Sequence, residues 1–281
     1  MTATTSGPHA ALATVRVRID DALDAFLADR RARWGSLPPE AVGPIDEIRA
    51  LLEAGGKRLR PQFCYWGYRA AGGDDGEGIV VAAAALELLH VMALIHDDVI
   101  DGSPMRRGRP ATHVRRGHAF AVLTGDLAAV LADDMFLSSH LPAPRLVAAL
   151  ERYHEMRQQM AAGLALELGA AGGAVDATKL ASLKGGAYTV AGPLSIGVAL
   201  AGGSTEVDEA LARFGTPLGA AFQLFDDLRD GDVRGGAPAA GVARADAIAL
   251  VAEATDALRA ATIDGRAAAA LGALLEQVAA S

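Results

Sequence analysis

Two acidic clusters of the same form stand out in the chain: Asp97-Asp98-Val99-Ile100-Asp101 and Asp226-Asp227-Leu228-Arg229-Asp230. On a helix, residues four apart share a face and lie about 6 Å from one another along the axis. Asp97 and Asp101 therefore point the same way, as do Asp226 and Asp230. Each cluster follows an apolar run, Ala93-Leu94-Ile95 and Phe222-Gln223-Leu224-Phe225. Bare carboxylates at the edge of apolar surroundings repel one another unless cations neutralise them. Oxygen donors without cysteine or clustered histidine suit Mg2+, which binds through a few carboxylates and substrate phosphates while keeping waters. A lone cluster of this kind would read as a solvated helix end; the repetition points to a shared task. Asp74-Asp75, in a Gly-rich loop, and Asp133-Asp134, without basic flanks, read as surface.

The complementary charges are also grouped. Gly55-Gly56-Lys57-Arg58-Leu59-Arg60-Pro61 places three cations on a turn at a helix start, where backbone N–H groups favour an anion. Arg106, Arg107 and Arg109 follow soon after the first acidic cluster. Guanidinium forks match phosphate oxygens. Cations beside metal-binding aspartates point to a diphosphate held both through metal and through Arg and Lys.

The elements that must position these groups are helical. Of 281 residues 51% are hydrophobic but only 5% aromatic, and apolar residues recur at three- and four-residue spacing between Gly, Pro and Ser breaks. The pattern predicts helices near 11–33, 39–54, 61–71, 77–101, 115–140, 143–170, 176–186, 188–201, 205–230, 242–262 and 265–280. Connections are short, so residues 1–281 are expected to form one all-α domain. Segments 79–95 and 188–201 are apolar nearly all round, as a helix at the centre of a bundle would be. The first carries Glu87 and His90 and runs into acidic residues, so stable membrane insertion is not expected. The formal net charge of −8, from 26 Lys+Arg and 34 Asp+Glu, argues against nucleic-acid binding. Cys64 is the single cysteine, which excludes an intrachain disulfide and fits a cytoplasmic protein, as does the lack of a signal-like start.

In combination and order, these motifs resemble those of the trans-isoprenyl diphosphate synthases, or polyprenyl synthetases. The likeness runs from Gly55–Pro61 through Glu87–Ser103, Arg106-Arg107-Gly108, Thr112-His113, Gly125-Asp126, Lys184 and Tyr188-Thr189 to Phe222–Asp230. It implies a helical bundle around a deep apolar cavity, a homodimer, and condensation of isopentenyl diphosphate with an allylic diphosphate. By position, Asp97, Asp101 and Asp226 resemble the ligands of three Mg2+ ions, with Asp98, Asp227 and Asp230 in support. Lys57, Arg60, His90 and Arg107 look like the pocket for isopentenyl diphosphate. Arg106, Lys184 and Gln223 look like contacts to the allylic partner. Chain length is expected to be set beneath Asp97, where Ala93, Met92 and Leu89 stand in place of the bulky aromatic that stops growth at C15 in the family. A C20 product, geranylgeranyl diphosphate, is favoured, with C15 or longer as alternatives.

The chain also departs from the resemblance. The usual Gly-Gln-x-x-Asp reads Gly163-Leu164-Ala165-Leu166-Glu167, and Gly185 replaces the usual Ser or Thr beside Lys184. No lysine occurs after Lys184, so the lysine-bearing segment after the second cluster is missing; Arg234 and Arg244 are the available substitutes. Two rival readings follow: an inactive subunit that modulates a prenyl synthase, and a class I terpene cyclase. Retention of both acidic and both basic groups argues against the first, and Lys57, Arg60 and Arg107 argue against the second.

Overall fold

The helical periodicity governs the chain almost throughout. A computed structural model describes residues 7–169, 182–230 and 240–280. The helices are α1 (Pro8–Arg33), α2 (Pro39–Glu53), α3 (Leu59–Ala70), α4 (Glu77–Asp101), α5 (Thr112–Arg116), α6 (His118–Leu137), α7 (Ala143–Gly169), α8 (Gly192–Ala201), α9 (Thr205–Asp230), α10 (Ala240–Ala260) and α11 (Gly265–Ala279). A π-helix, Ser182–Ala191, leads into α8. The only strands among the described residues are β1 (Met105–Arg106) and β2 (Arg109–Pro110), paired antiparallel. The all-α expectation holds, and the limits of α4 and α9 coincide with the sequence reading.

Three details differ from it. The helix expected over 115–140 is broken at Gly117, whose φ of +86° takes the chain out of helix between α5 and α6. The hairpin at 105–110 turns through Arg107 (φ +50°) and Gly108 (φ +75°), positive values that side-chain type does not announce at an arginine. The two helices expected over 176–186 and 188–201 are, within the described part, a π-helix continuing into α8.

The chain divides into two compact units. One comprises Thr14–Pro61 and Gly76–His140 and is built around α4. Ala82, Ala83, Ala84, Ala85, Leu88, Leu89 and Val91 of α4 are fully buried, and α6 and α2 pack against it. By length and composition α4 could cross a membrane, but 72% of its most apolar window is buried inside the protein, as in a core helix. Arg30 of α1 donates to Asp134 of α6 at 2.6 Å, so Asp134, at the surface with its side chain 44% exposed, also joins two helices.

The other unit comprises the chain up to Ala13, Gln62–Asp75 and the chain from Leu141. Leu211, Phe214, Leu218 and Ala221 of α9 are fully buried. The π-helix crosses α9 where both lack side chains: a Cβ on Gly219 would stand 2.5 Å from the Gly186 Cα. Only glycine permits that approach, and it sets the backbone that carries Lys184 against the helix that carries the second acidic cluster.

Candidate active site

In the α4 unit, burial along the helix changes with position. Everything from Ala82 to Leu89 is buried, whereas His90, Ala93, Leu94 and Asp97 are partly exposed and Asp101 is exposed. Their three- and four-residue spacing makes one accessible strip, apolar below and acidic at its end. Met92 is also partly exposed, while Leu89, one turn further down, is fully buried.

The end of α4 is an unfavourable place for aspartate, because a helix C-terminus already carries partial negative charge. Gly102 (φ +64°) closes the helix. Asp98 is 3% exposed. Its Oδ1 accepts from Arg106 Nε at 2.9 Å and Nη2 at 2.6 Å. Arg106, matched by the resemblance to the allylic diphosphate, is thus paired with Asp98, matched to metal support. Asp97 and Asp101 lie on the accessible strip.

The arginines around this helix converge on the end of α2. Its last turn carries no basic residue of its own, and although Ala50 O and Leu52 O accept from the backbone N–H groups that follow, carbonyls at a helix C-terminus keep room for further donors. Arg109 Nη1 donates to Ala50 O at 2.7 Å, Arg107 Nη1 to Leu51 O at 2.8 Å and Arg58 Nη2 to Leu52 O at 2.8 Å. Of the three cations read on the Gly-Gly turn, Arg58 is therefore turned inward and only 6% exposed. Its Nε donates to Asp20 Oδ1 at 2.7 Å and its Nη1 to Glu87 Oε1 at 2.8 Å. Burial opposes its charge, but Glu87 and Asp20 leave its pKa above the ordinary arginine value. Lys57 on one side of it is exposed and Arg60 on the other is partly exposed. Arg107 is held below the usual arginine range by burial and by Arg58 and Arg106, with Glu87 opposing.

His90 responds to the same surroundings. Burial, followed by the positive charges of Arg60, Arg107, Arg106 and Arg58, holds its pKa well below 6.5. It is therefore neutral at physiological pH and adds a hydrogen-bonding group to the basic cluster without adding charge.

In the other unit, the second acidic cluster closes α9. Phe222 to Leu228 are all partly exposed, and Arg229 is exposed. Gln223 Nε2 donates to Asp227 Oδ1 at 2.7 Å, and Arg229 pairs with Asp226. Asp230 ends the helix, and Lys184 lies on the π-helix. Gly231–Gly241, which includes Arg234, falls outside the described residues but for its last two positions; Arg244 is exposed on α10.

No three acidic, histidine or cysteine groups converge as a ready-made metal cage among the described residues. The donor set still fits Mg2+, which needs only one or two protein carboxylates when phosphate oxygens complete its shell. Asp97 and Asp101 on one helix, and Asp226 and Asp227 on another, offer that number at each helix end.

Sequence reasoning did not assign roles to Glu87 or Asp20. The available signal was Glu87 itself, a carboxylate inside a helix that is otherwise apolar on every face.

The polyprenyl synthetase family pattern matches residues 45–234. The short chain isoprenyl diphosphate synthase of Methanothermobacter thermautotrophicus is 33% identical over 210 residues, 73% of this chain and 63% of that protein. The geranylgeranyl diphosphate synthase of Methanosarcina mazei is 33% identical over 215 residues, 75% of this chain and 63% of that protein. The chain thus matches less than two thirds of the length of either relative. Among solved structures, geranylgeranyl pyrophosphate synthase from Corynebacterium glutamicum, complexed with isoprenyl diphosphate and magnesium, superposes with a TM-score of 0.83. It is 25% identical, and the match covers 94% of this chain and 98% of that one. With its motifs in family order and the family pattern spanning most of its length, the chain belongs to the polyprenyl synthetase family.

Proposed function

We propose that this chain, acting as a single domain, is a Mg2+-dependent trans-prenyltransferase that condenses isopentenyl diphosphate with an allylic diphosphate. The observation that carries this reading is the single strip on α4: an imidazole, an apolar stretch and two aspartates, with the arginines of the hairpin fastened at two levels of the same helix. Such a strip serves a substrate with one charged end and one hydrocarbon end.

In this reading Lys57, Arg60, His90 and Arg107 take the diphosphate of the isopentenyl substrate, and Arg106, Lys184 and Gln223 take that of the allylic one. Asp97, Asp101 and Asp226 hold Mg2+, three ions by family likeness, with Asp98, Asp227 and Asp230 behind them. When bound, Mg2+ supplies positive charge that stabilises the departing diphosphate. Arg106, assigned to that diphosphate and held by Asp98, adds a donor for the same developing charge. The allylic C–O bond breaks with its electron pair leaving on the diphosphate. The π electrons of isopentenyl diphosphate form the new C–C bond to the allylic cation. A proton is then lost to the released diphosphate, restoring a double bond in a chain longer by one C5 unit. Apolar walls keep water from trapping the cation.

The partly exposed Met92 and Ala93 leave the strip without a bulky aromatic below Asp97, which supports a C20 product. The relative from Methanosarcina mazei, named a geranylgeranyl diphosphate synthase, supports the same length. A homodimer is supported by α6, where Leu123, Val130 and Leu137 are 57%, 62% and 54% exposed at seven-residue spacing. A cytoplasmic setting is consistent with the buried thiol of Cys64.

The test is an elongation assay with Mg2+, isopentenyl diphosphate and, separately, C5, C10 and C15 allylic diphosphates, with products sized after dephosphorylation. The expected outcome is a C20 alcohol; no elongation from any primer would sink the proposal. Hydrocarbon release from one diphosphate alone would move it to cyclase chemistry. In the same assay Met92→Phe should shorten the main product by one C5 unit, and an unchanged product would put the chain-length floor elsewhere.

A further inference from the structure

Glu87 is a carboxylate with 2% exposure on the most apolar helix of the protein, and direct substrate contact does not explain it. It accepts from Arg58 Nη1 at 2.8 Å and lies 3.7 Å from Arg107 Nη2. Arg58 is held at three further acceptors: Asp20 Oδ1 at 2.7 Å, Leu52 O at 2.8 Å and Gly55 O at 3.3 Å. Arg58 and Arg107 both adopt left-handed backbone, with φ of +52° and +50°. Non-glycine residues persist there only when their surroundings over-determine them. The two guanidinium groups meet beneath the Gly-Gly turn, where a Cβ on Gly56 would stand 2.9 Å from Arg58 Nη1 and 3.0 Å from Arg107 Nη2.

The consequence is geometric. Arg58 is flanked in sequence by Lys57 and Arg60, Arg107 is itself an expected contact, and His90 is one turn from Glu87 on α4. Of the groups matched to isopentenyl diphosphate, Arg107 lies beside this buried carboxylate, His90 is one turn from it on α4, and Lys57 and Arg60 lie within two residues of Arg58, which it holds. Without that negative charge, Arg58 would keep Asp20, but the carboxylate that lies beside both guanidinium groups and offsets their repulsion would be gone.

We propose that Glu87, with Arg58 and Asp20, is a positioning device that fixes the Lys57–Arg60 turn and Arg107 for the diphosphate of the isopentenyl substrate. This rests on the condensation reading above and adds to it residues that touch no substrate. A role confined to stability would weaken every ligand in step with the melting temperature. Positioning weakens one ligand and spares the other.

The experiment is calorimetric titration of the full chain with isopentenyl diphosphate, without an allylic partner, and separately with a non-ionisable allylic diphosphate analogue plus Mg2+. Glu87→Gln should weaken isopentenyl diphosphate about tenfold and Asp20→Asn about threefold, the scale of one lost charge-assisted hydrogen bond and of a half-exposed one. Affinity for the allylic analogue should stay within about twofold, because Arg106 is held by Asp98 instead. Glu87→Asp, which keeps the charge, should recover part of the loss. Wild-type affinity in a folded Glu87→Gln protein, or equal loss of both ligands, overturns the proposal. Where Glu87→Gln fails to fold, Asp20→Asn decides by the same criteria. If the unmodified protein itself does not take up isopentenyl diphosphate, it is the condensation reading that fails, which separates the two failures.

Discussion

The aspartates that close α4 and those that close α9 look alike in sequence but are held differently. At the end of α4, Asp98 is paired with Arg106 from the hairpin, with side chains 4% and 30% exposed. That arginine belongs to a set of guanidinium groups fastened to α2 and to Glu87. At the end of α9, Asp226 pairs with Arg229 three residues on, with side chains 33% and 50% exposed, and Asp227 accepts from Gln223 four residues back. Bonds of the second kind are local to one helix end and at least partly exposed, and exchange at little cost. On the proposed function, the first end would meet its substrate with its geometry set, and the second would adapt as metal and diphosphate arrive.

If Asp97 and Asp226 hold metal as proposed, the two ends should be equally indispensable despite their different support. Asp97→Ala and Asp226→Ala should each lower kcat by about a hundred- to a thousandfold, the scale seen when a main electrostatic contributor is lost. Helical content by circular dichroism should not change, because both residues are only partly buried. Elongation at a normal rate in either variant would refute the metal assignment for that end.

A second test separates the ends by stability. Asp98→Asn removes a buried charge from Arg106 and should cost about 2 kcal/mol in denaturant unfolding. One effect opposes this: fewer negative charges at a helix C-terminus relieve the macrodipole by about 0.3–1 kcal/mol. The lost charge-assisted bonds outweigh that relief, so the net change is destabilising. Arg229→Ala, at an exposed pair, should change stability by no more than about 0.5 kcal/mol. Equal costs in the two variants would abolish the distinction between a braced end and an adaptable one.

Much of this was legible from residue types because the information was local. Apolar spacing bounded by Gly and Pro located α4 and α9, and repetition of the acidic cluster marked both helix ends. What was not legible depended on residues far apart in the chain or on backbone conformations that side chains do not advertise. Arg58 reads as a third phosphate-binding cation beside Lys57 and Arg60; only the placement of Asp20 and Glu87, 38 and 29 residues away, turns it inward. The hairpin through Arg107 requires positive φ at an arginine, which no turn preference suggests. The π-helix before α8 passes α9 at Gly186 and Gly219, an approach between residues 33 apart that local residue type does not announce.

The smallest expected effect also belongs to one end alone. His90 lies on the accessible strip of α4, and Phe222–Asp230 contains no histidine. Burial and the nearby arginines lower the folded-state pKa of His90 below the unfolded value near 6.5. Above that value the imidazole is neutral in both states and its contribution to stability is fully present. As pH falls below it, the unfolded chain takes up a proton that the folded chain resists, and stability is lost. The loss should reach about 1 kcal/mol roughly one unit below pH 6.5, within the limit of about 1.4 kcal/mol per unit for a single proton. Denaturant midpoints of the wild type and His90→Gln, compared between about pH 5 and 7.5 without Mg2+ or substrate, read this component as a difference, so the remaining histidines cancel. The wild type should lose more stability than His90→Gln toward acid pH, and the two should run parallel above neutrality. Parallel curves over the whole range would mean that the arginines around Glu87 leave His90 unperturbed, and the basic cluster beside α4 would then be no more preorganised than the exposed pair at the end of α9.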